Sequence, residues 1–184
     1  MKTITTALVA GCLALSAGAA LAADNPMVGG APMMADMTIV ENAAKSADHT
    51  TLVAAVQAAG LAETLSGPGP FTVFAPTNAA FEALPAGTVD TLLMPENKDQ
   101  LAKILTCHVV GAEAMSDAIA TMIANDGGEH PVETLGGCML TAKSTDGAIT
   151  LTDENGNVAT VTIADVDQSN GVIHVIDAVL LPKS

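Results

Sequence analysis

The sequence predicts an α+β domain, with N-terminal helices packed on an antiparallel β-sheet wedge built from the second half. Three observations carry this. Between residues 38 and 124, apolar residues recur at helical spacing behind capping residues. From His130 onward, short β-branched runs alternate with the turn signals Asp146-Gly147, Asn155-Gly156-Asn157 and Asn170-Gly171. Helices in one half and antiparallel strands in the other define the class. Finally, all three aromatic residues, Phe71, Phe74 and Phe81, fall in one short run that reads as a strand-to-helix corner.

Taken in order, Thr38 opens a helix over 38–44. Asp48 caps a second, in which Leu52, Val53, Val56 and Ala59 form one apolar stripe and Gly60 is the stop. Residues 71–75 alternate as a strand, which Pro76 ends because proline cannot extend a ladder and biases its predecessor away from helix. Thr77 caps a short helix that folds Phe81 back over the core of Phe71 or Phe74, where each buried Phe contributes roughly 1.5 to 3 kcal/mol. Helices are predicted over 88–93, over 95–105 with Pro95 in the first turn, and over 116–124, ending at Asp126-Gly127-Gly128. Strands follow over 138–143, 148–151, 158–163 and 172–181. No internal repeat is present.

Ahead of these elements, Lys2, an apolar stretch over 4–15 and Ala20-Leu21-Ala22 form a signal-peptide pattern over 1–22, with cleavage expected after Ala22. A rival reading takes Val9-Ala10-Gly11-Cys12 as a lipidation site, but the apolar sequence continues past Cys12, as ordinary cleavage expects. Residues 23–36, rich in Gly, Pro and Met, read as a flexible leader, and 37–184 as one domain. No later stretch reaches the roughly 18 to 20 apolar residues of a membrane span. The chain stops just past Pro182, so no C-terminal anchor is expected and the product should be soluble, secreted or periplasmic.

The 20 acidic residues against 6 basic give a formal charge of −14, and removing Lys2 makes the chain more acidic still. Without Arg, Trp or Tyr, it lacks both the cationic surface that phosphates require and the platforms on which bases stack, so nucleic acid is excluded as a partner. An anionic membrane surface is excluded for the same reason. Cys107 and Cys138 are an even pair in an exported chain and read first as a disulfide, with two buried thiols or two metal ligands as alternatives.

The run Phe71-Thr72-Val73-Phe74-Ala75-Pro76-Thr77-Asn78-Ala79-Ala80-Phe81 and the run Asn170-Gly171-Val172-Ile173-His174-Val175-Ile176-Asp177-Ala178-Val179-Leu180-Leu181-Pro182 resemble the two signature segments of a fasciclin domain. Residues 97–110 are similar to the family as well, and the resemblance covers about 37–182. It implies a fasciclin-like fold and an exported protein for cell adhesion or extracellular or periplasmic protein interaction, not catalysis. It also implies structural roles for Phe71, Phe74, Thr77, Asn78, Phe81, Asn170, Gly171, His174 and Asp177. Cys107-His108 stands where the family commonly has a Tyr-His pair, and Asp165-Val166 where it has an Asp-Ile adhesion motif. His108, Asp165 and Val166 are therefore candidate contact residues for a protein or cell-surface partner.

Period-two alternation places His174 on a face with Val172 and Ile176, opposite Asp177, so the two are no catalytic pair. His174 reads as a buried histidine bonded to neighbouring backbone. Met27, Met33, Met34 and Met37 could hold Cu(I) through their thioethers, although a hydrophobic leader that packs on the domain or on a partner is the preferred reading. They motivate an alternative function, an envelope carrier of an apolar small molecule or soft metal. The acidic run 153–157 lacks the oxygen ladder of a calcium loop and reads as a hairpin turn. No Gly-x-Ser-x-Gly occurs, the four histidines are scattered, and the loop 66–70 lacks a following Lys-Ser or Lys-Thr. No cofactor and no enzyme activity are expected.

Overall fold

The computed structural model describes residues 25–183. The predicted signal peptide, its cleavage point and Cys12 lie outside the described residues. Strands β1 (Met27–Val28) and β2 (Ala31–Pro32) form a small hairpin, followed by α1 (Ile39–Ala43), a 3₁₀ turn at Ala47–His49, α2 (Thr50–Ala59) and α3 (Ala62–Leu65). Strand β3 (Phe71–Pro76) leads into α4 (Asn78–Glu82), α5 (Thr88–Leu92), a 3₁₀ turn at Pro95–Asn97 and α6 (Lys98–Thr106). Then come β4 (Val109–Val110), α7 (Ser116–Asn125), β5 (Glu129–Glu133), β6 (Met139–Thr145), β7 (Ala148–Thr152), β8 (Val158–Gln168) and β9 (Gly171–Ile176).

The fold is α+β, as its patterning predicts. Thr38 caps α1 in a reciprocal capping box with Glu41, and Gly60 ends α2 in the left-handed conformation. Thr77 accepts from Ala80 N and starts α4. Asp48 does not cap α2. That place is taken from outside by Asn78, whose Oδ1 accepts from Thr51 N at 3.0 Å and from the Thr50 hydroxyl at 3.2 Å.

The seven-stranded sheet runs in the order β4-β3-β9-β8-β7-β6-β5. Its pairs are antiparallel except one near the β4 edge, where β3 and β9 run parallel from Phe71↔Gly171 to Pro76↔Ile176. Turn signals specify hairpin neighbours, but β3 and β9 come from opposite ends of the domain and no short turn dictates their direction. This pair divides two cores. Val73, Ala75, Ile173 and Val175 face the helices, together with Leu52, Val56, Ile104 and Leu105. Phe74 and Ile176 face the other way, onto Ile119 and Ile123 of α7 and Leu140, Ala142 and Leu151 of β6 and β7. Phe81 thus shares a core with Phe71, not with Phe74. Strand β8 serves both cores by shifting register twice, so Ala159 joins the second core and Val166 the first.

Two expectations need correction. Residues 25–36 do not stand apart as a free leader: Met33 is 2% exposed within the helical core, and Ala47 N donates to Gly29 O at 3.2 Å. The last strand ends at Ile176 rather than 181, because the chain turns away at Asp177 to bury Val179 and Leu180.

The β3–β9 junction is closed by backbone contact. Gly171 sits at φ +150°, and a Cβ there would lie 1.9 Å from the Phe71 carbonyl oxygen. Asn170 locks the helices to this point: its Oδ1 accepts from Ile39 N at 3.0 Å, and its Nδ2 donates to Leu65 O at 2.8 Å and Gly67 O at 3.0 Å. Asn170→Ala strands these buried groups and is expected to lower unfolding free energy by about 3 kcal/mol. A urea titration checks this, and a loss under about 1 kcal/mol would remove Asn170 as the clasp.

Candidate functional site

The two signature runs meet in space around β3 and β9. Asn78 spans from α4 to the α2 terminus, also donating to Ala47 O at 2.8 Å, and Asn170 spans from the β8–β9 turn to α1 and α3. Asp177 Oδ1 accepts from Thr160 N at 2.6 Å, pinning the exit of β9 to β8. His174 is fully buried and stacks on Phe74, its register partner, with ring centroids 5.7 Å apart. Its Nδ1 accepts from Asp165 N at 3.2 Å, so Nε2 carries the proton and donates to Ala114 O at 2.8 Å.

The three candidate contact residues fare differently. His108 is 2% exposed; Nδ1–H donates to Ile104 O at 2.8 Å, and Nε2 accepts from Leu180 N at 2.9 Å. Val166 is wholly inside the helical core. Neither can touch a partner in this fold. Asp165 is exposed, at φ +57° in a bulge of β8, but its carboxylate accepts from Ser116 N at 2.6 Å and from the Ser116 hydroxyl. It therefore caps α7 from a neighbouring strand, where a negative charge also suits the helix terminus.

Cys107 and Cys138 are joined, with Cα atoms 5.3 Å apart, within the ordinary disulfide range. The bond ties the end of α6 to the entry of β6, and on the chain-entropy account it contributes roughly 3 to 4 kcal/mol. The methionines are in unlike settings: Met33 is core, Met27 is 59% exposed, and the Met34 and Met37 sulfurs accept from Asn25 and Lys45. Ser46 Oγ lies 2.9 Å from His49 Nδ1, a nucleophile–base contact in form, but both residues are buried beneath the β1–β2 hairpin turn, where no substrate reaches the hydroxyl. Among the described residues, no group of three or more His, Cys, Asp or Glu is placed to hold a metal, and no helix is long and apolar enough to cross a membrane.

The sequence gives little notice of two polar anchors. Asp153 accepts from the backbone of Asn155, Asn157 and Leu181 and from the Asn157 side chain, so a residue that reads as a turn acid fastens the C-terminal segment. Asn42, fully buried, donates to Met34 O and Gln168 Oε1 and holds the leader against α1 and β8. The Asx-turn spacing around Asp153 is a usable local signal, whereas the partners of Asn42 are remote in sequence.

Burial lowers the pKa of all three interior histidines. His108 falls to about 4, with the Ile104 carbonyl and Asp153 opposing the shift. His174 is lowered against the pull of Ala114 and Asp165. His49 is lowered as well; its Nε2 makes no hydrogen bond, though the Ala75 backbone and Asp48 weakly favour the charged form. Asp153 is held low for a different reason: burial raises it, but the hydrogen bonds from Asn157, Leu181 and Asn155 together outweigh that. The unfolded chain therefore takes up histidine protons first as pH falls below about 6.5, and the fold loses stability down to about pH 4. His108 alone is expected to cost about 3 kcal/mol over that window, and the Asp153 contribution is lost only below its ordinary 3.8. Denaturation at stepped pH should show His108→Gln with a flatter dependence between pH 6.5 and 4.5; an unchanged slope would mean His108 titrates freely in the folded state.

Comparison with known proteins agrees with this architecture. A fasciclin domain profile matches residues 47–182. The chain is 58% identical over 132 residues to protein sll1483 of a Synechocystis strain, a match covering 72% of this chain and 66% of that protein. It is 40% identical over 133 residues to transforming growth factor-beta-induced protein ig-h3 of Sus scrofa, covering 72% of this chain but 17% of that much longer one. The fold superposes on a domain pair from the insect cell adhesion molecule fasciclin I with a TM-score of 0.70 at 18% identity, covering 79% of this chain and 51% of the other. The chain belongs to the fasciclin domain family.

Proposed function

We propose that this chain is an exported, non-catalytic module for adhesion or for protein interaction in the periplasm or outside the cell. The observation that carries the reading is the outer face of β6, β7 and β8. Thr141, Thr152 and Val158 are aligned across it in one row, and Lys143, Thr150 and Thr160 in the next. The alternate residues Ala142, Leu151 and Ala159 are fully buried on the inner side, so the Thr-rich side faces solvent, with Val158 55% and Met139 48% exposed. On a chain of charge −14, Lys143 is the one charged side chain in these two rows, so the face costs a partner little to desolvate. Fasciclin I, whose fold this chain shares, is a cell adhesion molecule. The contact surface thus moves from His108, Asp165 and Val166 to the outer sheet.

The test immobilises the folded chain and measures capture of envelope and cell-surface proteins. Thr152→Lys with Val158→Asp should abolish saturable capture while changing unfolding free energy by no more than about 1 kcal/mol. Absence of any retained partner, or equal capture by the double variant, would overturn the reading. Export makes a separate expectation: protein purified from its own host without reductant begins at Ala23 and lacks the thiol hydrogens of Cys107 and Cys138, as intact mass spectrometry would read.

A further inference from the structure

The dipeptide Asn-Gly occurs at Asn155-Gly156 and again at Asn170-Gly171, and the fold treats the two oppositely. In this dipeptide the side-chain amide is readily attacked by the next backbone nitrogen, because glycine puts no side chain in the way and turns freely. Asn170 is closed to that reaction. It is 9% exposed, its amide oxygen and nitrogen are bonded to the backbone of Ile39, Leu65 and Gly67, and Gly171 is wedged against the Phe71 carbonyl. Moving either residue means undoing the β3–β9 junction. Asn155 lies instead in the turn between β7 and β8, where residues 154–158 are all exposed. The attacking atom, Gly156 N, is held by Asp153 O at 3.1 Å, and opening of this surface turn alone frees it.

We infer that Asn155 is a self-modifying site, which deamidates to aspartate and isoaspartate and thereby loosens the C-terminal segment. Gly156 N loses its proton and bonds to Asn155 Cγ; the Cγ–Nδ2 bond breaks and ammonia leaves, closing a cyclic imide. Water then adds to one of the two imide carbonyls and the ring C–N bond opens, giving aspartate from one carbonyl and isoaspartate from the other. Either product lacks the Nδ2 donor that holds Leu181 O at 3.0 Å and Pro182 O at 3.2 Å, and adds a carboxylate to a turn that already carries Asp153 and Glu154. The segment is then left with the bonds from Leu181 N to Asp153 and from Lys183 N to Glu154. Isoaspartate also lengthens the main chain inside the turn that sets Thr152 opposite Val158. Deamidation needs no partner, so its failure and that of the adhesion reading are distinguishable.

The test holds the folded protein in mildly alkaline buffer, where the attacking nitrogen deprotonates more readily, and follows intact mass and peptide maps that separate aspartate from isoaspartate. Asn155 should convert while Asn170 stays intact, and in urea both should convert. Asn155→Gln keeps an amide donor but closes an imide ring far more slowly, so it should abolish the conversion at this position. Asn155→Asp should speed hydrogen exchange at the Leu181 and Lys183 amides about five- to tenfold and leave exchange in β9 unchanged. No conversion at Asn155 in the folded protein, conversion at Asn170 at the same rate, or unchanged exchange at Leu181 and Lys183 would each overturn the proposal.

Discussion

The structure depends on one constraint, the parallel pairing of β3 with β9. It joins a strand near the start of the domain to one near its end, and every residue of β9 from Gly171 to Ile176 is buried. Strands buried on both faces need apolar side chains in both directions, which explains the unbroken apolar texture of 171–176. The exception, His174, survives there because both ring nitrogens have backbone partners and its ring stacks on Phe74. The pairing in turn requires Gly171, since a side chain would occupy the place of the Phe71 carbonyl. Signature residues scattered in sequence are thus one mechanical unit: Asn78 and Asn170 hold helix termini against this pair, and Asp177 pins its exit.

Helices and hairpin strands were legible because their signals are local. Thr77 behind Pro76, Gly60 after an apolar stripe and the Asp146-Gly147 turn each act within a few residues. What was not legible is non-local. Strand β5 reads Glu-His-Pro-Val-Glu, with neither β-branched enrichment nor an apolar run, and is a strand only because β6 supplies its partner. The leader looked featureless because its Gly and Pro residues mask a hairpin whose value is to lower Met33 into the helical core. The parallel direction of β9 had no turn to announce it.

Position in a family pattern picks out His108, Asp165 and Val166 but carries no information about burial, and His108 and Val166 lie inside the fold. In this chain Cys107 bonds to Cys138, and the adjacent His108 turns inward to cap Ile104 O and Leu180 N. Asp165 kept its exposure but spends its carboxylate on the terminus of α7. Buried and satisfied polar groups of this kind explain a sequence motif through stability. They leave recognition to surfaces that a motif does not describe.

The gap between β4 and β5 follows from the sequence of its two edges. Strand β4 has two residues and its Val109 carbonyl is already taken by Leu135 N, so it offers little further ladder. Strand β5 contains Pro131, opposite Thr141 on β6, and proline is tolerated in a sheet where its missing N–H faces an unpaired edge. Such an edge resists both closure onto β4 and the addition of a foreign strand, which is how natural sheets avoid unwanted pairing. A short strand and a proline therefore keep the gap between these edges open above an apolar interior while refusing a further strand.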